Sequence, residues 1–570
     1  MGDQSSIKTL SKNEGIKAAS RGLRGGIAEG LGIVHTGSLA EDDTQLTKFH
    51  GIYQQDDRDL RAERGRKKLE PAFSFMARLR IPGGALTPAQ WLALHGVAHE
   101  RANGTIRLTT RETVQFHGIL KGNLRPFMQA VNAALLDTLA ACGDVNRNVM
   151  ATVDPAQSPA HAAALQLARD VSAALLPRSR AWHEIWLGDT LVEGGETEEE
   201  PLYGATYLPR KFKVAIAVPP QNDVDVFAHD LGFIAHVDDA GAVLGWDVTV
   251  GGGMGMTHGE TDTFPRTADY LGFCTPDQAV AVAAAVMMAQ RDHGNRSVRK
   301  LARLKYTIEA MGLGGFQSAV EEHLGWALPP ARGASFSGTG DRLGWYAGAD
   351  GVQNFGLFVQ NGRIHDDGPQ RLMSGLRAIA NVHAGTFILT PNQNLVIAGV
   401  EDRASMEGML REYGMVQGAS ALRQAAMACV ALPTCGLALA EGERYLPSLV
   451  SELDGLMVEA GLADAPIVLR MTGCPNGCAR PYLAEIGLVG RGPGRYHLYL
   501  GAAADGTRLN KLYRRDVDHA GILAALRPLL QGYAAGRGAG ERFGDWVIRA
   551  GHVAATVAGN QFHSDLGEAA

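Results

Sequence analysis

The stretch Met427–Gly436, M-A-C-V-A-L-P-T-C-G, and its sequel Met471–Pro481, M-T-G-C-P-N-G-C-A-R-P, hold four of the chain's six cysteines in two tight pairs. Cys429 and Cys435 are spaced C-x5-C, and thirty-eight residues later Cys474 and Cys478 are spaced C-x3-C. Thiolates are the usual ligands of iron–sulfur clusters, and four of them complete a [4Fe–4S] cube. The second pair sits on a turn punctuated by Gly and Pro, where a tight backbone can wrap a cluster and offer N–H groups to its sulfurs. Zinc is the competing metal, although its knuckles favour C-x2–4-C pairs. Structural or disulfide use is the third reading, and disulfides are disfavoured in a chain without a secretion signal. On spacing alone all three stay open, with iron–sulfur fitting best.

The 570 residues, 45% hydrophobic and 20% charged, describe a globular chain of two to four domains with ample core. A net charge of −6 argues against nucleic-acid binding, which calls for a basic balance or stripe. Seventy-one glycines imply many tight turns and close backbone approaches. The first eight residues, M-G-D-Q-S-S-I-K, contain no apolar h-region, and the longest alanine/valine run, Ala279 to Ala289, is too short to span a bilayer. No membrane contact and a cytoplasmic location are therefore expected.

Residues 1–70 carry few apolar periodic segments and many charges, notably Asp56–Asp59 and Arg61–Lys68. They read either as a solvated helix or as an arm that wraps the body or docks a partner. Phe73 to Ile81 alternates with period two and ends in Pro-Gly-Gly, a strand and turn. Thr87-Pro88 opens a helix. Gly104 to Ile119 reads as a further strand, followed by a helix from Arg125 to Ala141. Gly385 to Val400 aligns on Gly104 to Ile119 without gaps and shares Gly, Thr, Leu, Thr and Gly at five positions. An internal duplication into two facing halves follows, with a central cleft suited to a large cofactor. Between the halves, Glu193–Glu200 reads as an exposed acidic loop. Gly251–Gly255 is a weak dinucleotide fingerprint because no helix follows it, and a glycine turn beneath a flat cofactor is the preferred reading.

With C-x5-C followed by T-G-C-P-N-G-C, the chain resembles the sulfite and nitrite reductases that couple a [4Fe–4S] cluster to sirohaem. The resemblance runs from about residue 45 to Arg549 and is nearest to the branch whose haemoprotein component works beside an NADPH-oxidising flavoprotein. It implies an α+β (mixed α/β) fold of three domains with a pseudo-two-fold duplication and the cofactors at the domain junction. The expected parts are a 1–70 arm, a duplicated ferredoxin-like domain over 71–141 plus 343–417, a first α/β domain over 142–342, and an iron–sulfur α/β domain over 418–570. It also implies that Cys429, Cys435, Cys474 and Cys478 bind the cluster and that Cys478 is the axial ligand joining it to sirohaem. The implied reaction is the six-electron reduction of sulfite to sulfide in sulfate assimilation, with electrons from a flavoprotein (alpha) subunit carrying FAD and FMN. A ferredoxin-dependent sulfite or nitrite reductase would share nearly all these residues. A cluster-only electron-transfer protein would not need the basic strands described next.

Sirohaem carries eight carboxylates and sulfite is a dianion, so both demand inward-pointing Arg and Lys. Arg107, Thr109, Arg111, Gln115 and His117 share one face of the 104–119 segment by strand periodicity, a pattern that a solvent-facing amphipathic strand would also give. The family resemblance assigns these five to sirohaem, together with Gln393 and Asn394 in T-P-N-Q-N-L. Asn476 in the cysteine turn is expected to touch the haem. A-R-L-R-I-P-G, G-D-V-N-R-N-V and Y-L-P-R-K-F-K match three further motifs. They give Arg78 and Arg147 as substrate clamps, Lys211 and Lys213 as proton donors, and Arg210 at the haem periphery. Arg80 shares the Arg78 face. A structural ion-pair network is the alternative for any one of these. Cys142 is expected to approach the cavity, and Tyr53, as a buried thiol, whereas Cys274 belongs to the core.

Overall fold

The computed structural model describes residues 10–153, 157–178, 185–187, 190–193, 200–349, 351–416 and 418–564. The duplication is visible in its sheets. One five-stranded sheet runs in the order Ile52–Asp56, Phe73–Arg78, Val114–Ile119, Ile106–Leu108, Arg363–Ile364; another runs Gly344–Ala347, Gln353–Leu357, Leu395–Val400, Thr386–Leu389, Ala85–Leu86. Each half thus lends its partner an edge strand: Ile364 pairs with Ile106, and Leu86 with Phe387. The exchange begins at matched turns whose residues sit at positive φ, Gly83 and Gly84 in one half and Asn361 and Gly362 in the other. Trp91, Phe116 and Phe127 from the first half share one core with Phe355, Leu376 and Phe387 from the second. Neither half could bury this face alone.

The 104–119 segment is a hairpin rather than the single strand expected: Ile106–Leu108 and Val114–Ile119 pair antiparallel around a turn at 109–113. The same correction holds for 385–400, which splits into Thr386–Leu389 and Leu395–Val400. Period-two reasoning passes through a tight turn whose residues are all polar. The duplicated turns share a backbone signature, with Glu112 at φ 49 and its counterpart Gln393 at φ 70. The helix after Thr87 spans Pro88–Arg101 and opens with a capping box, Thr87 accepting from Gln90 N while the Gln90 side chain accepts from Thr87 N.

The repeat extends to two further five-stranded sheets. Met150–Ala151, Val214–Ala217 and Leu231–Val237 lie parallel and continue antiparallel into Val243–Val250 and Asp269–Cys274. Ala426–Ala428, Leu469–Thr472 and Ile486–Gly492 do the same before Arg495–Leu500 and Lys511–Val517. Cys274 is buried in the core of the first of these sheets, as expected.

Residues 10–56 follow the second of the two N-terminal readings and wrap the body. Ile52–Asp56 is an edge strand of the first sheet, Leu23, Leu46 and Phe49 join the largest core, and buried Lys17 bonds Glu14 and the carbonyl of Leu208. Of the Glu193–Glu200 loop, residues 194–199 lie outside the described residues; Glu200 is buried, not exposed, and accepts from the backbone N–H of Arg178.

Candidate active site

Both cysteine pairs leave the carboxyl ends of adjacent parallel strands, the usual place for a ligand in such sheets. Strand register sets Ala428 opposite Met471, and the Cys429 N–H donates to the Met471 carbonyl at 3.1 Å. Gly473 N–H donates to Cys429 Sγ at 3.3 Å, and Asn476 Nδ2 approaches Cys474 Sγ at 3.6 Å. Glycine is required at 473, where a Cβ would lie 2.6 Å from both Ala431 Cβ and the Ala440 carbonyl. Gly477 takes φ +63 against the Met254 carbonyl. The 251–255 glycine turn does not lie beneath the main cavity; it backs the cysteine turn, with Met256 N–H donating to the Pro475 carbonyl. Lys305 fastens that backing through the carbonyls of Gly253 and Gly255.

The four thiols face one cavity of about 660 Å³ where the three domains meet. Every expected site residue but one lines it: the cysteines, Arg78, Arg107, Thr109, Arg111, Gln115, His117, Arg147, Arg210, Lys211, Lys213, Gln393 and Asn476. The exception is Asn394, whose amide bonds Asp341 and the Val359 N–H instead. Asp341 also accepts from Thr390 and Asn392, so a linker carboxylate fills the polar face of the second copy that the first copy keeps open. Arg80 is likewise settled by geometry: it pairs with Asp137, while Arg78 enters the cavity and donates to Cys142 Sγ at 3.1 Å. Cys142 is fully buried beside the cavity.

Local structure explains the convergence of the basic groups. Arg147 N–H donates to the Phe212 carbonyl and Phe212 N–H to that of Val145, which lays the 145–147 and 210–213 segments side by side. The 109–113 turn is pinned from below by Asn148, whose Nδ2 reaches the carbonyls of Arg111 and Glu112. His229 Nε2 donates to the Val224 carbonyl at 2.9 Å, leaving Nδ1 to accept from Arg111. Arg107 is held by Glu443, at 3.0 Å, and by the Ala428 carbonyl. Glu443 is shared with Arg363, and despite its burial these two arginines draw its carboxyl down to about 2.

Ten Lys and Arg side chains line the cavity against a single carboxylate, Asp144. Burial, reinforced by Arg210, Arg303 and Arg147, presses the Lys211 amine well below its ordinary range. Lys213 follows for the same reason, with the charge of Lys211 the strongest of its cationic neighbours. Sequence reasoning missed Lys48 and Arg299, neither of which sits in a motif. Burial and the charges of Arg299 and Arg210 lower Lys48 to about 8. Arg299 grips Asp144 in a two-pronged pair at 2.9 and 3.0 Å.

The residues present fit a polycarboxylate cofactor. Arg111 Nε and His117 Nε2 are buried polar atoms without a partner among the described residues, and they face a cavity whose cations outnumber its acids. The thiols fit a cluster better than a single ion, because no three His, Cys, Asp or Glu side chains among the described residues converge tightly enough for one metal. Burial and the nearby Cys478 sulfur push the Cys474 thiol up to about 12, so these thiols need cationic metal to stay ionised.

Comparison with known proteins agrees with this geometry. The description "Nitrite/Sulfite reductase ferredoxin-like half domain" matches residues 67–134 and 347–412, the two halves that exchange edge strands. "Nitrite and sulphite reductase 4Fe-4S domain" matches 169–328, the first α/β domain, whose sheet topology the cysteine-bearing domain repeats. The chain belongs to the nitrite and sulfite reductase family, whose cofactors are sirohaem and a [4Fe–4S] cluster. It is 60% identical over 563 residues to the sulfite reductase [NADPH] hemoprotein beta-component of Methylorubrum populi, covering 98% of this chain and 92% of that one. It is 58% identical over 566 residues to the protein of the same name in Chromohalobacter salexigens, covering 98% of each. Among solved structures, the NirA protein of Mycobacterium tuberculosis superposes with a TM-score of 0.75 at 26% identity, over 95% of this chain and 97% of that one.

Proposed function

We propose that this chain is the haemoprotein component of an assimilatory sulfite reductase, reducing sulfite to sulfide with six electrons that originate in NADPH. The observation that carries the reading is the single cavity shared by four thiols and an excess of buried cations. Bound there, sirohaem and the cluster supply a metal site for the sulfur atom and a relay for single electrons.

The remaining chemistry is assigned to side chains. Cys429, Cys435, Cys474 and Cys478 would hold the cluster, and Cys478 would also hold sirohaem. Arg107, Thr109, Arg111, Gln115, His117, Arg210, Gln393 and Asn476 hold the carboxylate rim. Arg78 and Arg147 draw in and orient the sulfite oxygens. Lys211 and Lys213, whose protons burial and neighbouring cations have loosened, deliver them to each departing oxygen, which leaves as water. A dianion at the site raises both amines toward their charged form, so they reload from solvent once substrate is present.

The partner in this reading is a flavoprotein alpha subunit bearing FAD and FMN and oxidising NADPH, and the setting is the cytoplasm. No helix among the described residues is long and apolar enough to cross a membrane. Reconstitution tests the reading: the purified holo-chain, a flavoprotein subunit and NADPH should form sulfide from sulfite with three NADPH consumed per sulfide. Sulfide formed only when reduced ferredoxin replaces the flavoprotein would move the chain to the ferredoxin-dependent branch.

A further inference from the structure

The loop that carries Cys435 has exposed residues at its tip. Cys435 is half-buried, the next two residues are exposed, and the Leu437 side chain is 67% exposed although the loop also lines the cofactor cavity. The segment that holds this loop from outside is Asp57–Leu60: Arg58 N–H donates to the Pro433 carbonyl, and Arg58 Nη1 donates to the carbonyls of Ala438 at 2.6 Å and Cys435 at 3.4 Å.

The chain then runs into the short helix Arg61–Arg66, and residues 61–68 carry five cationic side chains against one carboxylate, Glu63. Arg61 is matched by Asp56 and Lys67 by Glu63, while Arg66 and Lys68 are exposed and have no acidic partner among the described residues. On a chain of net charge −6, this is a local positive run that follows directly on Arg58, the residue that holds the Cys435 loop. Exposed cations without an acidic partner, as Arg66 and Lys68 are, contribute little to folding, whereas they raise encounter rates with an acidic surface in a salt-dependent way.

We propose that the basic segment 61–68 and the apolar tip at Leu437 form the electron-entry surface, and that its occupant is the acidic face of the flavoprotein's electron-delivering module. This deepens the proposed function and rests on its choice of donor. In each encounter one electron leaves the donor's reduced flavin and one arrives in the cluster held by Cys435, and no atom is transferred.

The test uses the full holo-chain and the double variant Arg66→Glu, Lys68→Glu, assayed with NADPH plus the flavoprotein and, separately, with reduced methyl viologen. The viologen rate should be unchanged while the flavoprotein-driven rate falls at least about tenfold at low salt. Stopped-flow association with the flavoprotein should slow in parallel and lose most of its dependence on ionic strength, a readout independent of turnover. Unchanged flavoprotein-driven rates and association in the variant would overturn the surface and leave the donor intact. Equal losses in both assays would also overturn it, as damage to the fold. A wild-type chain that accepts no electrons from any flavoprotein would overturn the donor and this proposal together.

Discussion

Lys211 and Lys213 are both amines squeezed by burial and by neighbouring cations, Arg210, Arg303 and Arg147 for the first and Lys211, Arg111 and Arg303 for the second, and that is what makes them usable as acids at neutral pH. Lys211→Arg keeps the charge but holds its proton, so kcat should fall about 100-fold with KM for sulfite nearly constant. Arg78→Ala removes a clamp instead and should raise KM about tenfold; steady-state kinetics with reduced viologen separates the two. Asp144 makes a complementary case for stability. Burial works against its charge, yet Arg299 and Lys17 outweigh burial and hold its carboxyl at about 2. Because the folded value lies below the unfolded one near 4, its contribution of about 2 kcal/mol is complete above pH 4 and is lost as pH falls toward 2. Denaturant titrations should show that loss in the wild type and not in Asp144→Asn, which should itself cost about 3 kcal/mol at pH 7 by stranding buried cations. Most of the cavity's residues were legible because their motifs carry chemistry directly. Asn394 was not, because motif likeness could not see Asp341 arriving from the linker to occupy its amide. Lys48 was hidden inside a segment whose charges suggested solvent.

Among the elements, the hairpin turn at 109–113 matters more than the strands that carry it. Its polar residues mimic strand alternation, so the sequence placed Arg107, Arg111 and Gln115 on one face for an incomplete reason. They converge because Arg111 rides the turn while Arg107 and Gln115 pair directly across the ladder. The edge-strand exchange was invisible to pattern reasoning, since Ala85–Leu86 and Arg363–Ile364 are too short to show a period. The cysteine turn was legible as a turn punctuated by Gly and Pro, and the structure adds why its glycines are needed. Gly473→Ala drives a methyl into Ala431 and the Ala440 carbonyl, within the frame that holds Cys429 and Cys474. Iron and acid-labile sulfide per purified chain should drop by at least about half, with far-ultraviolet circular dichroism retained.

At the scale of the whole molecule, the duplication created a cleft between two related halves, and sequence divergence decided which face of it stayed open. The three domains are tied around the cleft by a buried charge triad. Asp225 of the first α/β domain accepts from Arg470 at 2.6 Å and from Arg480, both of the cysteine domain, and Arg480 reaches on to the carbonyls of Thr110 and Pro391 in the two ferredoxin-like halves. Such a cluster contributes little net stability but strongly resists loss of one partner. Asp225→Asn should therefore lower unfolding free energy by about 3–5 kcal/mol and loosen cofactor retention, read by thermal melts of the holo-chain at matched cofactor content. The duplicated architecture could be read from one repeated segment, whereas the triad could not, because its members are 245 and 255 residues apart in sequence. The claim on which everything else depends is that the central cavity holds sirohaem and a [4Fe–4S] cluster side by side. The direct measurement is an absorption spectrum of the purified chain with iron and acid-labile sulfide counted on the same sample. Sirohaem bands with about five irons and about four sulfides per chain are the result this account requires. A zinc-bearing, colourless protein after anaerobic purification, with cofactor loss excluded, would contradict it.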